Sequence, residues 1–126
     1  MKKLLISILV FFCLTCACSA LPVLVKDDYG TNFFSLSAPK RIISTMPSNT
    51  EILYALGLGK NIIAVSDKCN FPPEASKKKK IGAISINVEE IVALNPDLIV
   101  MLGDAQKRQI EILKEYRLPV FVINPR

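Results

Sequence analysis

The chain has 126 residues, with 16 lysines and arginines against 11 aspartates and glutamates, four cysteines, and neither histidine nor tryptophan. That length suits one small domain with a modest core. The missing imidazole excludes a His-based triad, an imidazole metal site and a haem histidine, and much of the basic excess behind the net charge of +5 is the single run Lys77 to Lys80, without the interleaved aromatics of a nucleic-acid surface.

Met1-Lys2-Lys3 is a basic leader, Leu4 to Leu14 is apolar apart from Ser7, and the small residues Ala17, Ser19 and Ala20 follow. Residues 1–20 read as a secretory signal peptide, too short in its apolar run to span a bilayer. Cleavage after Ala20 releases a soluble protein. Cleavage before Cys18 leaves a cysteine for lipidation, although Thr15 stands where the preceding motif wants an aliphatic residue. Both routes are open. Either removes Lys2 and Lys3, leaving 14 basic residues against 11 acidic and a charge of +3. Cys13 and Cys16 go with the leader. With Cys18 cut off or acylated, Cys69 is a lone structural thiol without an internal disulfide partner.

Residues 21–38 read as a β-hairpin, with Val23-Leu24-Val25 as one arm, Asp27-Asp28-Tyr29-Gly30 as the turn, and Phe33, Phe34 and Leu36 on the other. From residue 39 to 126 strands and helices alternate. Ile42 and Ile43 form a short strand. Ser48 to Glu51 fits a capping box, with Ser48 as the cap. Ile52, Leu53, Ala55, Leu56 and Leu58 then carry helical spacing, and Gly57 and Gly59 supply the stop. Ile62 to Val65 is a strand, Asn70 to Pro73 a rigid loop, and Lys77 to Lys80 a solvated loop. Ile81 to Ile84 is a further short strand.

Asn87 caps the next helix, with Glu90 as its acidic partner and Val88, Ile91, Val92 and Leu94 as its apolar face. Asn95-Pro96-Asp97 ends it, and Leu98 to Leu102 is a continuously apolar strand. Asp104 to Tyr116 is an amphipathic helix, and Val120 to Ile123 the last strand. The alternation predicts the α/β class, with a doubly wound, mainly parallel, Rossmann-like sheet preceded by the hairpin.

Such sheets bind ligands beyond the carboxyl ends of their strands. The candidate cleft residues are therefore Pro47, Ser48 and Asn49 after the first strand, Ser66, Asp67 and Lys68 after the second, and Gly103 and Asp104 after the apolar one. Ordinary capping and turn formation is the competing role for each. No nucleophile with an activating base, no Gly-rich phosphate loop and no metal-ligand cluster is apparent, so neither an enzyme nor a resident metal or cofactor is expected.

Five segments in order carry a resemblance: Ala38 to Ser44 (APKRIIS), Pro47 to Glu51 (PSNTE), Leu56 to Gly59 (LGLG), Phe71 to Ala75 (FPPEA) and Asn87 to Ile99 (NVEEIVALNPDLI). From about Pro39 onward the chain resembles the first lobe of the periplasmic substrate-binding proteins of ABC importers for cobalamin and iron-siderophores. The resemblance implies two α/β lobes joined by a long helix, of which this chain carries one, with ligand held between them. It implies a cobalamin-type corrinoid or a ferric siderophore as cargo, so that metal arrives inside its chelate, and ABC permease subunits as partners. It also implies that Glu89 is the first-lobe permease-docking carboxylate.

Corrinoid binders of this family line the cleft with aromatics, whereas this chain offers Lys68 before Phe71-Pro72-Pro73 and Ala83, Ile84 and Ser85 before Asn87. Lys68 or Arg41 would complement an anionic siderophore, although a surface lysine and a structural arginine are the commoner roles for them. The expected setting is periplasmic or extracytoplasmic, soluble or lipid-anchored. A doubly wound sheet should continue past Val120 to Ile123, so the chain reads as a piece of a two-lobed protein. The alternatives are a stand-alone envelope lipoprotein, a cell-envelope enzyme or a non-functional fragment of this fold.

Overall fold

A computed structural model describes residues 22–83 and 85–124. The leader, with Cys18, lies outside them. Among the described residues no helix is long and apolar enough to cross a membrane.

Strands β1 (Val23–Lys26) and β2 (Asn32–Ser35) form the expected antiparallel hairpin, in the register Val23 to Ser35 and Lys26 to Asn32. Asp27 organises its turn. One carboxylate oxygen accepts from the N–H groups of Tyr29 at 3.0 Å and Thr31 at 2.7 Å, the local bonding by which Asp favours turns. Gly30 supplies the left-handed residue, φ 77°.

The remaining strands make one five-stranded parallel sheet. They are β3 (Ile42–Ser44), β4 (Ile62–Ser66), β5 (Lys79–Ile81), β6 (Leu98–Leu102) and β7 (Val120–Ile123), in the spatial order β5-β4-β3-β6-β7. The chain builds outward from β3 to β5, then crosses back to place β6 on the other side of β3. The strand order therefore reverses between β3 and β6, where a doubly wound sheet opens a crevice.

Helix α1 (Pro47–Ala55) packs on one face, where Leu53, Ile42, Ile62, Val65, Cys69 and Val100 are buried together. Helices α3 (Val88–Leu94) and α4 (Lys107–Glu115) cover the other, where Ile91, Ile110 and Leu113 meet Ile43, Ile99, Met101 and Val122. A four-residue helix, α2 (Pro73–Ser76), lies between β4 and β5. The alternation along β6, with Ile99 and Met101 to one side and Val100 to the other, is the period-two geometry of a strand covered on both faces.

Several local expectations shift. Strand β5 starts two residues earlier than the apolar run 81–84 suggests, because pairing with β4 sets it, from Ala64–Lys79 to Ser66–Ile81. The lysine run is thus not simply a solvated loop. Lys80 Nζ donates to the carbonyls of Cys69 and Ala75, and Lys79 pairs with Glu90 at 3.1 Å. Val92 is 46% exposed, since the inward stripe of α3 is Val88, Ile91 and Leu94, a spacing of three that leaves position 92 outside. The helix expected over 104–116 is shorter, Lys107–Glu115.

Gly57 and Gly59 have different tasks. Gly57 has φ 78° and ends α1, whereas a Cβ at Gly59 would strike the Tyr54 ring. Burial, and then the neighbouring Glu74, pushes the Tyr54 phenol above its ordinary pKa. The hairpin docks on the edge strand. Asp27 Oδ2 accepts from Val122 N–H at 3.3 Å, Asp28 Oδ2 accepts from Asn124 N–H at 2.7 Å, and the Phe33 and Phe121 rings meet edge-to-face at 5.9 Å. The free edge of β7 is thereby covered.

Candidate functional site

Because every strand of the sheet runs the same way, the residues after β3, β4 and β6 gather on one edge, and these three strands are neighbours. The sequence-predicted residues are thus brought to a common lip. At the opposite edge β3 and β6 are clamped together. The Asp97 carboxylate accepts from the N–H groups of Lys40 and Arg41 at 2.7 and 2.8 Å, and Asp97 N–H donates to Arg41 O at 3.0 Å. Arg41 caps the end of α3, donating to Leu94 O at 2.6 Å and Asn95 O at 3.1 Å. Of the two roles open to it, Arg41 therefore has the structural one, since its guanidinium lies at the far edge and is engaged there.

After β3 the chain turns at Met46 into α1. The capping box expected at Ser48 is not formed. Met46 is the N-cap without a side-chain hydrogen bond, and Pro47 occupies the first turn, a place suited to its fixed φ and missing donor. Ser48 is exposed. Thr50 organises the turn from within, its Oγ1 meeting Ser44 Oγ at 2.8 Å, Met46 O at 3.0 Å and Cys69 Sγ at 3.2 Å. Asn49 is 3% exposed, and its Nδ2 has no hydrogen-bond partner among the described residues.

Ser66, the last residue of β4, is fully buried with its hydroxyl 3.1 Å from Cys69 Sγ, and Cys69 is a free thiol, as the sequence suggests, and fully buried. Ser66 and Cys69 therefore form the floor of this side, whereas Asp67 and Lys68 are exposed. Asp67 N–H donates to Ile81 O at 2.9 Å, anchoring the loop to β5. Phe71, used above only as a landmark, is 60% exposed in this loop, so an aromatic surface is available where none was counted.

After β6, Gly103 is buried, and a Cβ there would collide with Asn124 Oδ1 and the Tyr29 ring. The strand end passes under the hairpin turn too closely for any other residue. Asp104 is exposed, its N–H donating to Asn124 Oδ1 at 3.2 Å. Sequence reading missed Gln106, which is 2% exposed and bonded to Thr45, Leu102 and Ala83. Its only sequence signal is a long amide at the start of an amphipathic helix.

Each helix following a parallel strand returns antiparallel to it, so the N-terminus of α3 also lies at the lip edge. Asn87 caps it, Oδ1 accepting from Glu90 N–H at 3.2 Å, but the Glu90 carboxylate goes to Lys79 instead of closing the capping box. Glu89 is exposed and has no partner among the described residues.

The lip thus presents Pro47 and Ser48, Asp67, Lys68 and Phe71, and Asp104, with Asn49, Ser66 and Gly103 beneath them. Among the described residues no group of three or more Cys, Asp and Glu is placed to hold a metal ion. Polar side chains of both signs, the uncapped first-turn N–H groups of α1 and an exposed ring suit non-covalent capture of a polar ligand.

Residues 42–126 match the periplasmic binding protein family. An uncharacterized ABC transporter substrate-binding lipoprotein of Bacillus subtilis, YvrC, is 35% identical over 96 residues, covering 76% of this chain and 31% of that protein. The vitamin B12-binding protein of Photorhabdus laumondii is 40% identical over 91 residues, covering 71% and 33%. A possible iron-binding periplasmic solute-binding protein from Staphylococcus epidermidis superposes with a TM-score of 0.65 at 35% identity, covering 71% of this chain and 36% of that one. The chain spans about a third of the length of these relatives.

Proposed function

Because this chain belongs to the periplasmic binding protein family, a family of extracytoplasmic binding components rather than enzymes, we propose that it is the first lobe of an ABC-importer substrate-binding protein. The cargo is a cobalamin-type corrinoid or a ferric siderophore chelate, delivered to a membrane permease. The observation that carries this reading is the coincidence of the family match with the open switch point, because the matched residues 42–126 include all three lip segments. The lip supplies one wall of the cleft. Metal arrives within its chelate and needs no ligand cluster in the protein, in keeping with a histidine-free chain. The similarity to a vitamin B12-binding protein and to a possible iron-binding protein supports the two cargo classes. Lys68 favours an anionic chelate and Phe71 a flat macrocycle.

Two finer assignments accompany the proposal. Cys18 is the lipidation site, a reading supported by the relative named a lipoprotein; an intact mass carrying a diacylglycerol group on Cys18 is the expected result, and a mass cut after Ala20 contradicts it. Glu89 docks the permease. Its exposure, lack of a partner and position at the lip edge support this, and a carboxylate of that kind gives salt-sensitive association with basic membrane subunits.

The experiment is uptake of labelled cyanocobalamin and ferric siderophore by cells carrying the cognate permease, with Glu89→Arg compared against the native protein. Transport of one cargo that depends on the protein, and is abolished in Glu89→Arg while ligand affinity survives, is expected. Unchanged uptake in Glu89→Arg contradicts the docking assignment. Uptake of both cargoes independent of the protein contradicts the importer reading.

A further inference from the structure

The crevice between β3 and β6 exists because the two strands stop pairing. Their last pair is Ser44 with Val100, after which Thr45 N–H still donates to Val100 O at 3.2 Å and the chain leaves for α1. Strand β6 runs on to Leu102. In a parallel ladder alternate N–H groups point to opposite neighbours. Gly103 N–H goes to Ile123 O on β7, so Leu102 N–H points into the space β3 has vacated. A buried backbone donor there must find another acceptor.

That acceptor is Gln106. Its Oε1 takes Leu102 N–H at 3.2 Å and Thr45 Oγ1 at 2.5 Å, and its Nε2 donates to Ala83 O at 3.3 Å. The amide cannot be turned over, since that would set Nε2 against Leu102 N–H and Oε1 against the Ala83 carbonyl. Gln106 is the N-cap residue of α4 but makes no side-chain cap bond to it. Its amide is directed inward instead.

We infer that Gln106 is the positioning residue of the switch point: one buried amide holds the lip segments after Thr45 and after Leu102 and ties both to the loop that leads from Ala83 to Glu89. The two halves of the amide divide the work. The oxygen sets the cleft wall and the nitrogen sets the docking loop. This functional consequence rests on the reading of the lip and of Glu89 proposed above; the bonding pattern does not.

Hydrogen exchange read by mass spectrometry on the mature protein tests the geometry without any ligand. Gln106→Met has nearly the same length and makes none of the bonds. It is expected to speed exchange at Leu102 and in segment 82–87 by roughly fivefold to tenfold, the loss of about one hydrogen bond at each place. Compared with the native protein at a pH high enough to ionise the buried carboxyl, Gln106→Glu keeps an acceptor for Thr45 and Leu102 but has no proton for Ala83 O, so it is expected to loosen 82–87 alone. Should Gln106→Met not fold, this split in Gln106→Glu carries the test.

Exchange unchanged in both segments of Gln106→Met, or a uniform acceleration across the protein in both variants, overturns the inference and leaves Gln106 as a space-filler. On the functional side, Gln106→Met weakens ligand affinity more than Gln106→Glu does, and Gln106→Glu loses uptake. A native protein that binds neither corrinoid nor ferric siderophore, while the exchange pattern holds, refutes the proposed function and not the positioning role.

Discussion

Strands β3 and β6 are joined differently at their two ends. At the amino-terminal end they are clamped by direct backbone-to-carboxylate bonds, with Asp97 holding Lys40 and Arg41 and Arg41 in turn capping α3. At the carboxyl-terminal end they part, and the gap is bridged by side chains: Thr45 Oγ1 donates to Val100 O, and Gln106 Oε1 accepts from Thr45 Oγ1 and Leu102 N–H. The contrast separates what builds the lobe from what it presents. A charged clamp between chain segments 56 and 57 residues apart in sequence makes the fold, whereas bridging by amides and hydroxyls leaves polar groups where the strands part.

Substitutions at the two ends should therefore differ in kind. The largest effect on stability is expected at the clamp. Asp97→Ala removes two charge-assisted bonds and should cost about 2 kcal/mol, read as a lower midpoint in urea with an unchanged slope. A stability loss at Asp97 no greater than at a surface site would show that the far edge is not a clamp. At the open end, Thr50→Val keeps the shape and removes the hydroxyl that meets Ser44, Met46 and Cys69, with an expected cost of about 1 kcal/mol. Equal or greater loss than for Asp97→Ala would invert the comparison. Lys68→Ala is expected to leave stability within about 0.5 kcal/mol of the native protein. It sharpens the contrast through binding instead, weakening an anionic siderophore chelate and leaving a corrinoid unaffected.

The same contrast explains how much was legible in the sequence. Strands β6 and β7 were read with the bounds the structure gives them, because a continuous apolar run between turn residues admits few alternatives. Asn87 as a cap and Asn95 as a stop were readable too, the latter in the left-handed region at φ 45°. Errors arose where distant parts of the chain compete with local signals. Ser48 has capping chemistry, but Pro47 starts the helix earlier and puts Ser48 inside its first turn, past the cap position. The run 81–84 has strand composition, but β4 selects Lys79 to Ile81. For Arg41 the sequence favours a structural role but does not name its partner, the end of α3 more than fifty residues away.

That these strand ends share one edge was readable from topology, since any doubly wound parallel sheet collects its strand ends on one side. Which residues face outward was not readable, because burial of Asn49, Ser66 and Gly103 depends on the cysteine, hairpin turn and neighbouring loops that cover them. Gln106 was invisible for a related reason. Its role follows from a backbone donor orphaned by strand divergence, and no local pattern in residues 103–110 reports that.

The most direct test of the central claim is calorimetric titration of the complete mature protein with cyanocobalamin and, separately, with ferric hydroxamate and ferric catecholate siderophores. Saturable one-to-one binding of one class, at micromolar Kd or tighter and weakened by substitution at the lip but not by Asp97→Ala in the folded protein, is the predicted result. No saturable binding of any of these ligands, or binding that is insensitive to the lip, would contradict it.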